Sequence, residues 1–100
     1  LLSRAKKIAD NRSIGATVGN VVSSDYFYDE DSESWKDWAK MGCLAVEMET
    51  FALYCNASRA GVNALTILTV SDSIANHMET SLEQREKGFK DMMEIALELA

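Results

Sequence analysis

The run Ala64-Leu65-Thr66-Ile67-Leu68-Thr69-Val70 carries no charge and consists almost entirely of aliphatic and β-branched side chains. It reads as a central strand buried on both faces, and such a strand needs a layer of structure on either side. The neighbouring segments supply candidates for those layers. Met48, Phe51, Ala52 and Cys55 follow the i, i+3, i+4, i+7 spacing of an amphipathic helix, and Gly61 is placed to close it. Beyond a polar loop, Thr80-Ser81-Leu82-Glu83 reads as a capping box for a last helix with the apolar stripe Phe89, Met92, Met93, Ala96 and Leu97.

The first half alternates in the same way. Leu1, Ala5, Ile8 and Ala9 share one side of a helix over residues 1–11. Ile14 to Ser23 is rich in Val and Thr and is interrupted by Gly15 and Gly19, the pattern of a strand with a bend. An acidic, aromatic loop follows over Asp25-Tyr26-Phe27-Tyr28-Asp29-Glu30-Asp31. A short helix over Ser32–Met41 then places Trp35, Trp38 and Ala39 on one face, with Gly42 suited to its C-terminal cap. Cys43-Leu44-Ala45-Val46 forms a short buried strand. Helix and strand in strict alternation argue for a three-layer α/β fold. With 100 residues and no internal boundary, the chain is one domain at most.

Several function classes are disfavoured by composition. The net charge of −6 is the wrong sign for a phosphate-backbone partner. No apolar run approaches a membrane span, and no leader is visible. The chain starts at Leu1, as a fragment of a longer protein does. Cys43 and Cys55 lack metal-type spacing and read as reduced, buried thiols of a cytoplasmic protein, with a disulfide as the minor alternative. There is no Gly-rich phosphate loop, no zinc motif and no Ser-His-Asp set, since His77 is the single histidine and reads as a surface residue.

Open α/β sheets bind ligands at the carboxyl ends of their strands. Two strands here end in residues with chemical capability, Val46-Glu47-Met48-Glu49 and Val70-Ser71-Asp72. If those strands are neighbours, three carboxylates meet on one rim. Each acid also has a purely structural reading. Glu47 and Glu49 open a helix, where negative charge complements the dipole and the free N–H groups. Asp72 suits a turn after a strand. Arg85 sits in the first helical turn, where the dipole disfavours a cation, which leaves room for a functional role. Phe27 can stack on a flat ring or pack on the core.

Gly42-Cys43-Leu44-Ala45-Val46-Glu47-Met48-Glu49-Thr50 resembles the Val-Glu-Met-Glu segment of the nucleoside phosphorylase superfamily, and Leu65 to Asp72 resembles its later strand ending in Ser-Asp. Asp72, Arg85 thirteen residues on, then Phe89 and Asp91-Met92 resemble the hexameric purine nucleoside phosphorylases, as do Val18-Gly19-Asn20, Ser24-Asp25 and Phe27-Tyr28. The resemblance spans almost the whole chain and implies the C-terminal portion of a nucleoside phosphorylase-like α/β/α domain. It implies phosphorolysis of purine nucleosides, in purine salvage, to free base and ribose 1-phosphate. Phosphate is the co-substrate, and neither a metal nor an organic cofactor is implied. Uridine phosphorylases and nucleosidases acting on methylthioadenosine or adenosylhomocysteine share part of the pattern, and a non-catalytic nucleoside-binding module is the alternative from another class.

On this resemblance Glu49 accepts from the ribose 2′- and 3′-hydroxyls, which suits a carboxylate with two acceptor oxygens. Met48 packs beneath the sugar, Val46 and Glu47 line the base pocket, Phe27 stacks near the purine and Ser71 lies beside the base. Asp72 acts as general acid toward purine N7 and Arg85 assists. Asp72 has to carry a proton at neutral pH to do so, which desolvation in a closed pocket favours. Arg85 is therefore expected to reach Asp72 late, after a helix movement. Ser73 stands where the bacterial enzymes usually have His, and the family's phosphate-binding glycine and arginines match nothing in this chain. A homo-oligomer, a hexamer built from dimers, is implied as well, and the aromatic Phe27, Trp35 and Trp38 region has the composition of an interface.

Overall fold

The computed structural model describes residues 1–27 and 30–100. Tyr28 and Asp29 of the acidic aromatic loop lie outside the described residues. The elements are α1 (Leu2–Asn11), β1 (Asn20–Ser23), α2 (Trp35–Lys40), β2 (Cys43–Glu47), α3 (Thr50–Ala60), β3 (Asp72–Ser73), β4 (Met78–Glu79) and α4 (Leu82–Leu99). This is the mixed helix and strand content of an α/β protein. By internal packing the chain divides into two units, Leu1–Ala16 with Leu65–Ala100, and Thr17–Ala64.

In the first unit α1 lies against α4. Ala5, Ile8 and Ala9 of α1 and Ile95 of α4 are buried together, with Ile14, Leu65, Ile67 and Leu99 packed around them. Full burial of an Ile side chain contributes about 1.5–3 kcal/mol, so Ile8 and Ile95 dominate this small core. Arg12 ties the same helices at their edge. Its Nε donates to Glu98 Oε2 at 2.8 Å and its Nη1 to Glu94 Oε2 at 2.9 Å, while Arg4 donates to the Glu98 carbonyl at 3.1 Å. The hydrogen bond that Arg12 donates to Glu98, opposed by desolvation and joined by the charges of Glu98 and Glu94, raises the pKa of the Arg12 guanidinium above its usual value.

Helix α4 departs from the expected stripe. Its buried residue is Ile95, and the inward line runs Gly88, Met92, Ile95, Leu99, while Leu97 is 77% exposed. A helix in which apolar residues occupy adjacent columns satisfies the 3.6-residue period in two rotations about its axis. Here the choice is made by close approach: Thr69 Oγ1 donates to the Gly88 carbonyl at 3.0 Å, and a Cβ at Gly88 would stand 2.6 Å from Thr69 Cγ2. Glycine costs a helix interior about 1 kcal/mol relative to alanine, a cost offset here by the room it makes for Thr69.

Residues 64–70 do not form the expected central strand. They alternate as a strand would, with Leu65 and Ile67 turned to the helical core and Leu68 and Val70 exposed, but they join no ladder. A run of this composition is buried on both faces only when strands pair along its edges and a second layer covers it; among the described residues one face is covered. Among the described residues the sheets are the parallel pair β1–β2 and the antiparallel pair β3–β4.

In the second unit β1 and β2 pair in parallel with Val21 opposite Ala45, Val22 opposite Val46 and Ser23 opposite Glu47, after an irregularity between Asn20 and Val21. The predicted strand from Ile14 is thus shortened to Asn20–Ser23. Gly42 (φ +84°) and Gly61 (φ +67°) occupy the left-handed region that ends α2 and α3, as their spacing predicts. The expected apolar face of α3 is not buried. Phe51 is 72% exposed and Cys55 is exposed, whereas Thr50 and Ala57 are buried. Both cysteines are free, as expected, but Cys43 is half-buried, so the reading of two buried thiols is corrected. The amphipathic period is present; cover for that face is absent among the described residues of its unit.

Candidate functional site

The parallel pairing brings the carboxyl ends of β1 and β2 side by side, at Ser23 and Glu47. Helix α3 begins three residues later with no side-chain cap from its own N-cap residue, Glu49. Its free N–H groups are met from the strand ends instead. Glu47 Oε2 accepts from the N–H of Glu49 at 2.7 Å and of Thr50 at 2.6 Å, and Ser23 Oγ accepts from the N–H of Phe51 at 3.1 Å. Orphan donors of a first helical turn are satisfied in this way by an acceptor placed just outside the helix. Burial pushes the Glu47 carboxyl upward, but Ser23, the Glu49 N–H, and the hydroxyl and N–H of Thr50 outweigh it and lower it from 4.5 to about 2. The Glu47 carboxylate is therefore engaged with the backbone. Met48 and Glu49, exposed on the turn it braces, and Val46 just before it, complete the group. Phe27 lies in the same unit, 77% exposed.

The other predicted group lies in the first unit. Segment 64–70 leads into a hairpin in which Asp72 faces Glu79 and Ser73 faces Met78. The turn between them ends at His77, exposed as expected and held at φ +50°. The Thr80 N–H extends the pairing by donating to the Ser71 carbonyl at 2.9 Å. Helix α4 then starts one residue later than expected. Ser81 is its N-cap, with Ser81 Oγ accepting from Gln84 N at 3.2 Å and Gln84 Oε1 accepting from Ser81 N at 2.9 Å. Thr80-x-x-Glu83 and Ser81-x-x-Gln84 both fit the capping-box pattern. The structure uses the second because Thr80 is committed elsewhere. Its Oγ1 donates to the Ser71 carbonyl at 2.5 Å and accepts from Arg85 Nε at 3.1 Å.

From that start Arg85 reaches back to the hairpin, and its Nη2 donates to Asp72 Oδ1 at 3.0 Å. The Ser71 hydroxyl donates to the other oxygen, Asp72 Oδ2, at 2.6 Å. Both oxygens of Asp72 are thus held by side-chain donors. Arg85, expected to reach Asp72 after a helix movement, stands in contact with it in this structure. The predicted residues fall into two sets, Phe27, Val46, Glu47, Met48 and Glu49 in one unit, and Ser71, Asp72 and Arg85 in the other. The sequence pattern does not single out Thr80 or Ser23. Thr80 falls inside a cap pattern. Ser23, at the carboxyl end of a strand, was in reach of the rule that places function there. Among the described residues no group of three or more His, Cys, Asp or Glu is arranged to hold a metal ion, and no helix is long and apolar enough to cross a membrane.

The chain belongs to the phosphorylase superfamily, whose sequence profile it matches over residues 1–100. More particularly, it is 54% identical over its whole length to the DeoD-type purine nucleoside phosphorylase of Caldanaerobacter subterraneus subsp. tengcongensis, and spans 43% of that protein. It is 53% identical to the DeoD-type enzyme of Alkaliphilus metalliredigens, again over all of this chain and 43% of the relative. With the Clostridium beijerinckii DeoD-type enzyme it shares 51% identity over 98 residues, 98% of this chain and 41% of the relative. The chain thus spans less than half the length of these curated relatives.

Proposed function

We propose that this chain supplies the base- and ribose-binding part of a purine nucleoside phosphorylase. The observation that carries the reading is Asp72, gripped at one oxygen by Arg85 and at the other by the Ser71 hydroxyl, in a chain about half identical to enzymes of that name. In the reaction the bond between ribose C1′ and purine N9 breaks, a phosphate oxygen bonds to C1′, and the departing base gains a proton at N7. Positive charge grows on the sugar and negative charge on the base.

Asp72, protonated at Oδ2 once the bound nucleoside closes the site to water, gives that proton to N7, assistance worth about 10²–10⁴ in rate. A hydroxyl rotates at little cost, so the Ser71 donor on Oδ2 is the one N7 displaces, while Arg85 stays on Oδ1 and stabilises the carboxylate left by proton transfer. Glu49 accepts from the ribose 2′- and 3′-hydroxyls, Met48 packs under the sugar, Val46 and the Glu47 backbone line the base pocket, and Phe27 stacks near the purine. Phosphate is the co-substrate and no other cofactor takes part. The setting is purine salvage in the cytoplasm, in a homo-hexamer.

The test is phosphate-dependent release of hypoxanthine from inosine by the full-length protein, with uridine and the Asp72→Asn variant in parallel. Purine release that requires phosphate and falls at least 100-fold in the variant is expected. Preferred cleavage of uridine, cleavage independent of phosphate, or full activity in the variant refutes the reading.

A further inference from the structure

We infer that Thr80 is a positioning residue that sets the orientation of the Arg85 guanidinium on Asp72. The inference rests on the phosphorylase reading above. A guanidinium presents its donors as a rigid planar fork, so fixing Nε and one Nη fixes the plane of the whole group. Thr80 Oγ1 accepts from Nε at 3.1 Å and Asp72 Oδ1 accepts from Nη2 at 3.0 Å. Thr80 is itself fixed. Its N–H and its hydroxyl both donate to the Ser71 carbonyl, at 2.9 and 2.5 Å, so the side chain is part-buried and held in one rotamer against the strand that bears Asp72. Because the hydroxyl proton is spent on Ser71, the oxygen faces Arg85 as an acceptor only, the polarity a guanidinium requires.

Ser71, Asp72, Thr80 and Arg85 thus close a ring: the hairpin carries the acid, the residue before the α4 cap carries the orienting hydroxyl, and the first turn of α4 carries the cation. Without the Thr80 acceptor, Arg85 keeps its charge but loses the second point that aims it. The charge developing on Asp72 as its proton leaves then meets a cation free to swing away. Preorganised donors matter most at the moment charge develops, so the effect belongs on kcat rather than on nucleoside binding.

The experiment uses the full-length protein with Thr80→Val, Thr80→Ser, Arg85→Ala, Arg85→Lys and the Val/Ala double variant, alongside Asp72→Asn. Thr80→Val is expected to lower kcat about tenfold or more with KM for inosine little changed, since one hydrogen bond to a charged group is lost. Thr80→Ser, which keeps the hydroxyl, restores most of the rate. Adding Thr80→Val to Arg85→Ala costs nothing further, because the residue acts through Arg85. Arg85→Lys, which keeps a cation but cannot bond Thr80 through Nε, loses rate like Thr80→Val and serves if that variant folds poorly. Wild-type kcat in Thr80→Val or Arg85→Lys, failure of serine to restore it, or an undiminished loss on the Arg85→Ala background each overturns the inference. Full activity in Asp72→Asn overturns the parent reading instead, and is distinguishable from all of these.

Discussion

The turn at Glu47 and the hairpin at Asp72 both end an extended run in a carboxylate, and they use it in opposite ways. Glu47 spends one oxygen on two backbone N–H groups, which cannot move without unwinding α3. Asp72 is held only by side chains, a hydroxyl that rotates and a guanidinium on a flexible stem. Fixed donors stabilise structure, and movable donors leave a group available for chemistry. Residue type and strand-end position are therefore insufficient to tell the two acids apart; the identity of their hydrogen-bond donors does so.

The sharpest way to break that contrast is to neutralise each acid in the full-length protein. Asp72→Asn is expected to lower phosphorolysis at least 100-fold while moving the unfolding midpoint little. Activity and stability falling together would erase the distinction. Next in size, Glu47→Ala should destabilise the fold by about 2 kcal/mol, the cost of removing a charged acceptor from the first turn of a helix, read by urea unfolding. An unchanged midpoint would show that water replaces the carboxylate.

A smaller effect is specific to pH. The Glu47 carboxyl lies lower in the folded chain, at about 2, than its ordinary 4.5. Its stabilising contribution is thus complete above pH 4.5 and is lost as pH falls from there toward 2. Allowing for solvent screening, about 1–2 kcal/mol is involved. Glu47→Gln should flatten the stability curve in that window, and a curve that keeps its slope would assign the acid sensitivity to other groups. The smallest change concerns the hairpin itself. His77 holds φ at +50°, which glycine adopts without strain, so His77→Gly should raise stability by up to about 1 kcal/mol with activity intact. A loss of activity there would mean the turn does more than reverse the chain.

Legibility in the sequence followed the range of the forces involved. Elements set by local rules stood out: α1 with Ala5, Ile8 and Ala9 buried, the glycines ending α2 and α3, and a short strand before Glu47. The pairing of Asp72 with Arg85 came from the family pattern, not from periodicity. What stayed hidden depended on competition between neighbours. Thr80 and Ser81 are equal candidates for a cap until the hairpin register claims Thr80, and α4 has two apolar columns until Thr69 selects Gly88. The buried faces expected for α3 and for residues 64–70 presume partners, and periodicity reports only which face would be covered.

That last segment has a consequence for handling the chain. Thr66-Ile67-Leu68-Thr69-Val70 combines high strand propensity with no charge and no proline, and its backbone is not tied into a ladder. A stretch of this kind is a template onto which an identical stretch can add, strand upon strand, with dry interdigitated side chains between the layers. Self-association of the 100-residue chain is accordingly expected to depend on these five residues. A lysine in place of Leu68, on the exposed side, is the gatekeeper that would keep it in solution.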